Sequence, residues 1–270
     1  MSTLSASWTV SVDLKGVIFD IDGVLEFRGQ VYPGAIEAVA FLRERGIAVR
    51  FLTNSTLKSR ASAADKLRRR GFVVEDEEVI TASYATAQYL RGLHPRSCWI
   101  MLDGEGHSEF DGLPQDEEDP EYVVVGDYRS RFDFDHMNRA LRLLLGGATL
   151  VGIQSELLDL SAGEAELNVG SWAGMLERAA GVQAIYVGKP SPYVFQLAVE
   201  SMGLEKYQVL MVGDKTSSDI RGANDFGIRS ALVRTGEYEG HESDPSARPD
   251  FILDSIMDVP SLFAGATHSR

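Results

Sequence analysis

The chain has 270 residues and carries 26 Lys and Arg against 40 Asp and Glu, a formal charge of −14 at pH 7. That balance excludes a general nucleic-acid binder, which needs a basic patch to neutralise phosphates, and a peripheral anchor on an anionic membrane. No apolar run approaches the ~18–20 residues that span a bilayer, and the lone Cys98 can form neither an intrachain disulfide nor a cysteine-built zinc cage. Residues 1–12 lack the basic start and apolar stretch of a secretory signal, so the expected setting is a reducing cytoplasm.

Short β-branched runs alternate with longer amphipathic stretches along the chain. Residues 15–21 predict a buried strand and 34–45 (GAIEAVAFLRER) a helix stopped by Gly46. A second strand is expected at 47–53, then a charged helix at 57–70 stopped by Gly71. The middle reads differently: a helix at 84–92, strands at 97–102 and 121–125, and between them a Gly-, Asp- and Glu-rich solvated loop at 104–120. A helix near 133–145, a strand at 149–153 and a helix near 171–180 follow. The first pattern then resumes with a strand at 184–187, a helix at 192–202, a strand at 208–212, a helix at 217–226 and a strand at 228–233.

Such alternation implies parallel pairing through crossover helices, hence an α/β fold with a doubly wound, Rossmann-like parallel sheet. The middle stretch, 81–183, is expected to be an inserted smaller α/β cap domain, with 1–80 and 184–270 forming the core. The insert holds 17 of the 40 acidic residues but only 7 of the 26 basic ones, so the acidity is concentrated there.

Ligands of doubly wound sheets sit outside the carboxyl ends of the strands. The first strand ends in Asp20-Ile21-Asp22-Gly23-Val24, which reads either as turn-forming aspartates or as a nucleophile and an acid/base around a divalent cation. The second ends in Thr53-Asn54-Ser55, alone an ordinary N-cap cluster. Gly188-Lys189-Pro190 follows an apolar run and lacks P-loop spacing. Gly213-Asp214 leads to Asp219 across a strand-to-helix turn, so two carboxylates can converge on one metal. Each signal is weak alone; their order, each beyond a predicted strand, makes the case.

Together these four segments resemble the haloacid dehalogenase-like hydrolases, and the likeness covers the whole chain. The insert is similar to the larger α/β cap of the NagD-type branch, and residues 49–60, 103–110 and 187–192 are most similar to the phospholysine phosphohistidine inorganic pyrophosphate phosphatase group. The resemblance implies an Mg²⁺-dependent phosphatase acting on phosphoric monoesters of small metabolites through an aspartyl phosphate. It implies Asp20 as nucleophile and Asp22 as general acid and base. Asp20, Asp214 and Asp219 would be carboxylate metal ligands, Asp22 a ligand through its carbonyl, Lys189 the charge-stabilising cation, and Thr53 with Asn54 the phosphate-orienting pair. Inorganic pyrophosphate or phosphoramide hydrolysis is an alternative, and a non-catalytic phosphoryl-binding protein is a second. The partner is then a small phosphorylated metabolite, not a nucleic acid or membrane, and a homodimer or higher oligomer is compatible with the pattern.

Further expectations concern individual residues. Lys215, beside Asp214, reads either as a solvent-facing side chain at a helix start, the favoured alternative, or as one tilted toward substrate phosphate; Cys98 reads as structural, with no neighbouring histidine or basic cluster to lower its pKa. The segment after the 149–153 strand, with Gln154, Glu156 and Asp159, is the candidate substrate-selecting element. If it lines the active site, its lack of Lys or Arg predicts discrimination against polyanions such as pyrophosphate, in favour of a neutral or cationic leaving group; the alternative is that its acids solvate the outer cap surface. An insert joined by two segments is expected to open and close over the core.

Overall fold

The computed structural model describes residues 13–159, 164–238 and 247–263. Residues 1–12, read above for a targeting signal, lie outside that range. In chain order the strands are β1 (Gly16–Asp20), β2 (Glu26–Phe27), β3 (Gln30–Val31), β4 (Ala48–Thr53), β5 (Val79–Thr81), β6 (Cys98–Met101) and β7 (Tyr122–Val125). They continue with β8 (Thr149–Gly152), β9 (Leu158–Asp159), β10 (Glu166–Leu167), β11 (Ile185–Tyr186), β12 (Val209–Gly213), β13 (Arg229–Val233) and β14 (Phe251–Leu253). The helices are α1 (Ala35–Glu44), α2 (Arg60–Arg69), α3 (Ala82–Leu93), α4 (Phe134–Leu145), α5 (Val169–Ala180), α6 (Pro192–Met202), α7 (Arg221–Phe226) and α8 (Val259–Phe263).

Six strands form a parallel sheet in the order β14-β13-β12-β1-β4-β5. Buried on both faces, its central strands read as continuous apolar runs. Alternate residues go to opposite sides: Val17, Phe19, Val49, Phe51, Leu210 and Val212 pack beneath α1 and α2, whereas Ile18, Leu52, Val209 and Met211 pack on the other face. The chain winds from β1 toward β4 and β5 in one direction and from β12 toward β13 and β14 in the other. The strand order therefore reverses between β1 and β12, which opens a crevice at their carboxyl ends.

A second parallel sheet, β11-β8-β7-β6, lies within the middle region. The strand expected at 184–187 in the core is β11, and it pairs with β8 of this sheet instead. The sequence could not decide that, because a two-residue strand carries no signature of its partner. The stretch read as a solvated loop at 104–120 contains a short 3₁₀ segment, Glu105–Phe110, and Phe110 is completely buried.

One apolar cluster runs without a break from the first sheet to the second. Ile18, Leu52 and Met211 of the first share it with Val124 and Val151 of the second, and with Phe110, Val194 and Phe195. Opening the middle region away from the core would expose this cluster, since large apolar interfaces resist domain motion. The contact runs against the expected opening and closing.

Candidate active site

Asp20 ends β1 and is almost completely buried, and its Oδ1 accepts a bond from the Ile21 amide at 2.8 Å. Lys189, beyond β11 on the loop into α6, brings its ammonium to 2.8 Å from Asp20 Oδ1 and 2.6 Å from Asp219 Oδ1. Asp214 follows β12, and Asp219 sits in the π-helical turn Thr216–Ile220 that leads into α7. That turn takes the place of the regular first turn expected of the 217–226 helix. Such turns often mark functional positions, and here it directs Asp219 back under the strand ends, where its Oδ2 accepts the Lys215 amide at 3.1 Å.

Carboxylate oxygens of Asp20, Asp214 and Asp219 all lie within 4.8 Å of one another. Burial pushes the Asp20 carboxyl well above the usual carboxylate range, against the pull of the Lys189 ammonium. Burial, with Asp219 alongside, pushes Asp214 up to about 7. Burial also opposes the charge on Lys189, but the Asp20 and Asp219 carboxylates outweigh it and raise its pKa above the ordinary lysine value. One cation thus faces three buried carboxyls, and Asp214 Oδ1 has no hydrogen-bond partner among the described residues. A buried, orphaned carboxylate oxygen beside two further acids is what a hard divalent cation with oxygen ligands fits.

The glycines around Asp214 explain how it is held. A Cβ on Gly23, at φ +93°, or on Gly236, at φ +66°, would lie 2.1 Å from Asp214 Oδ2. Only glycine tolerates both the backbone and the approach. The 235–237 loop closes this pocket, with the Glu237 amide donating to Asp214 Oδ2 at 2.7 Å and the Thr235 hydroxyl to the Gly23 carbonyl at 2.6 Å. Sequence reading missed this loop, although Thr235-Gly236, one residue beyond a buried strand, is a usable sign.

Thr53 is buried at the end of β4, and its Oγ1 accepts the Ser55 amide at 3.1 Å, leaving its own proton free to donate into the crevice. The Asn54 side chain is committed elsewhere. Its Oδ1 accepts the Lys189 amide at 2.8 Å, and its Nδ2 donates to the Lys189 carbonyl at 3.0 Å and to Glu156 Oε1 at 3.2 Å. It clamps the lysine loop.

The site opens into a cleft of about 330 Å³ whose lining includes Asp22, Lys66, Arg129, Glu156, Lys189 and Lys215. Gln154 and Asp159 line it too, but the Gln154 side chain is spent on the Glu156 amide and, at 2.6 Å, on Asn168 Oδ1. Lys215 does not face solvent. Its ammonium lies 3.3 Å from Glu156 Oε2 and 3.0 Å from Glu237 Oε2, because the buried turn after Asp214 aims it inward. Burial opposes its charge, but Glu156 and Glu237 raise its pKa above the ordinary lysine value. The acidic segment is therefore at the cleft with its charge at Glu156 paired, and Lys58, Lys66 and Arg129 line the same space. That pairing weakens an acidic filter against polyanions at Glu156 alone, since Lys58, Lys66 and Arg129 are themselves ion-paired with Glu105, Glu26 and Asp127. Cys98 is buried in the second sheet, away from this cleft, and burial pushes its thiol up to about 11.

The profile of the haloacid dehalogenase-like hydrolases matches residues 17–113, and a HAD-hydrolase-like profile matches 186–259. The phospholysine phosphohistidine inorganic pyrophosphate phosphatase of Rattus norvegicus is 36% identical over 95% of this chain and 97% of its own. The chain belongs to the haloacid dehalogenase-like hydrolases. The human protein of the same name is 34% identical over 92% of this chain and 94% of its own. Among solved structures, the p-nitrophenyl phosphatase from Archaeoglobus fulgidus superposes with a TM-score of 0.86 at 28% identity, covering 92% of this chain and 99% of that one. NagD from E. coli K-12 gives 0.83 at 26% identity, over 91% and 98%. The family membership, the crevice and the named relatives together make the chain a phosphatase of the NagD type with a Rossmann-like core. No helix among the described residues is long and apolar enough to cross a membrane.

Proposed function

We propose that the chain is an Mg²⁺-dependent phosphatase that hydrolyses phosphoric monoesters of small molecules through a phosphorylated Asp20. The reading is carried by one observation: Asp20, Lys189, Asp214 and Asp219 converge, buried, at the point where the strand order reverses, with Asp214 Oδ1 unpartnered among the described residues. Asp20, Asp214 and Asp219, with the Asp22 carbonyl, would hold the cation. When bound, it neutralises charge that would otherwise repel an anionic nucleophile from a phosphate dianion.

An Asp20 oxygen attacks phosphorus as the bond to the leaving-group oxygen breaks, and Asp22 gives that oxygen a proton. Asp22 then takes a proton from water, whose oxygen attacks phosphorus and releases the Asp20 carboxylate and inorganic phosphate. Lys189 balances the negative charge on Asp20 and on the transferring group, and the Thr53 hydroxyl and Asn54 backbone amide orient its oxygens. Residues 81–183 would cover this centre as a cap on the core formed by 1–80 and 184–270, with Gln154, Glu156 and Asp159 contributing to its wall. A second reading, hydrolysis of pyrophosphate or phosphoramides, would draw on Lys58 and Arg129, cleft-lining cations whose partners Glu105 and Asp127 a further anionic group would have to displace.

The test is phosphate release from 4-nitrophenyl phosphate with Mg²⁺, with chelator, and with Asp20→Asn. Metal-dependent release that falls by a factor on the order of 10³ or more in the variant is expected, as when one member of a catalytic unit is lost. Normal activity in Asp20→Asn sinks the reading.

A further inference from the structure

Among the described residues, the mechanism above leaves one buried charge unused. Glu26 opens β2, six residues after Asp20, and is 1% exposed. A buried carboxylate without a partner is strongly unfavourable. Two cations one turn apart, Lys66 on α2 and Arg70 at its C-terminal cap, meet it: the Lys66 ammonium bonds to Oε1, and Arg70 Nε lies 3.3 Å from Oε2. Were neutralising Glu26 the whole purpose, Lys66 could lie as deep as its partner. Instead it lines the cleft, and its ammonium also lies 3.5 Å from Asp22 Oδ1. The backbone links the same residues, since the Gly23 amide donates to the Glu26 carbonyl at 2.7 Å and Asp22 bridges to Glu26. The Asp22 side chain is 54% exposed, so packing does not fix its rotamer.

We infer that Lys66, anchored by the buried Glu26 carboxylate, is a positioning residue that fixes the Asp22 carboxyl for proton transfer to the leaving group. The inference rests on the reading of Asp22 as the acid. An ammonium has three donors; one is held by Glu26 and one is in reach of Asp22, so a mobile aspartate is tethered to a rigid point of the core. A proton donor must sit within hydrogen-bond reach of its target, and a misplacement of about 1 Å can cost on the order of 10²-fold in rate.

Leaving-group chemistry separates this role from charge binding and from structure. The 4-nitrophenolate ion departs without a proton, whereas the alkoxide of glycerol 2-phosphate needs one. Because kcat/KM reports steps only up to leaving-group departure, it is blind to the later attack of water. In Lys66→Met of the full-length chain, kcat/KM should fall at least about tenfold more on glycerol 2-phosphate than on 4-nitrophenyl phosphate. Lys66→Arg should restore most of that loss, and Lys66→Met should add nothing in an Asp22→Asn background. Glu26→Gln/Lys66→Met removes both charges together, so it guards against misfolding around an unpaired carboxylate and should show the same bias. Equal losses on the two esters, no loss, or full additivity with Asp22→Asn overturns the positioning role. If Asp22→Asn itself shows no bias toward glycerol 2-phosphate, the acid assignment fails, and the inference with it.

Discussion

The floor and the rim of the cleft are built on different principles. On the floor, Lys189 and Asp219 are almost fully buried and pair at 2.6 Å, with Asp20 at 2.8 Å on the same ammonium. At the rim, Lys215 and Glu156 keep 25% and 21% of their side chains exposed and pair at 3.3 Å. Buried charges are strongly coupled and costly to separate, whereas those a fifth to a quarter exposed are better screened and exchange more readily. The floor is thus suited to one fixed chemistry and the rim to a choice of leaving group.

Removing the floor's cation should break that contrast most sharply. Lys189→Met leaves Asp20 and Asp219 facing one another without it, and kcat on 4-nitrophenyl phosphate should fall on the order of 10²–10³-fold. The metal-free protein should also lose about 3–5 kcal/mol of stability, readable by urea titration. A variant within about twofold of the parent in both would show that the floor is not electrostatically coupled.

A smaller effect comes from pH. Asp214 is pushed up to about 7 from an ordinary value of 3.8. A carboxyl whose pKa is raised by folding favours the fold below pH ~4, and that contribution is lost as pH rises through about 7. The cation needs the carboxylate, so protons compete with it below that value. Added Mg²⁺ should raise Tm by a few degrees more at about pH 8 than at about pH 6. Equal shifts would separate Asp214 from the cation site.

The rim should respond least. Glu156→Gln keeps the acceptor for Asn54 but removes an exchangeable ion pair of about 0.2–1 kcal/mol. The expected change in kcat/KM on 4-nitrophenyl phosphate is less than about fivefold. A loss as large as that of Lys189→Met would erase the distinction between floor and rim.

The same contrast governs what the sequence reveals. Asp20, Thr53, Lys189 and Asp214 each end or follow a strand, so an apolar run beside a short polar motif announces them. Lys66 lies in the middle of a charged helix, where nothing separates it from a solvated face, and its partners Asp22 and Glu26 are distant in sequence. The sequence leaves the direction of Lys215 open because its inward aim depends on Glu156 and Glu237, which only tertiary structure brings to it. The strands Val79–Thr81 and Phe251–Leu253 were missed because three residues give no measurable periodicity. The shared apolar cluster was equally invisible, since periodicity shows which residues are buried but not which sheet they pack upon.

The central claim is that Asp20 carries the phosphoryl group. Asp22→Asn should let 4-nitrophenolate leave unaided while slowing the attack of water, so the intermediate should accumulate. Acid quenching of that variant shortly after mixing with 4-nitrophenyl phosphate and Mg²⁺, followed by peptide mapping, should place a phosphoryl group on Asp20. A burst of 4-nitrophenol with no phosphorylated peptide, or with the phosphoryl group on another residue, would contradict the account.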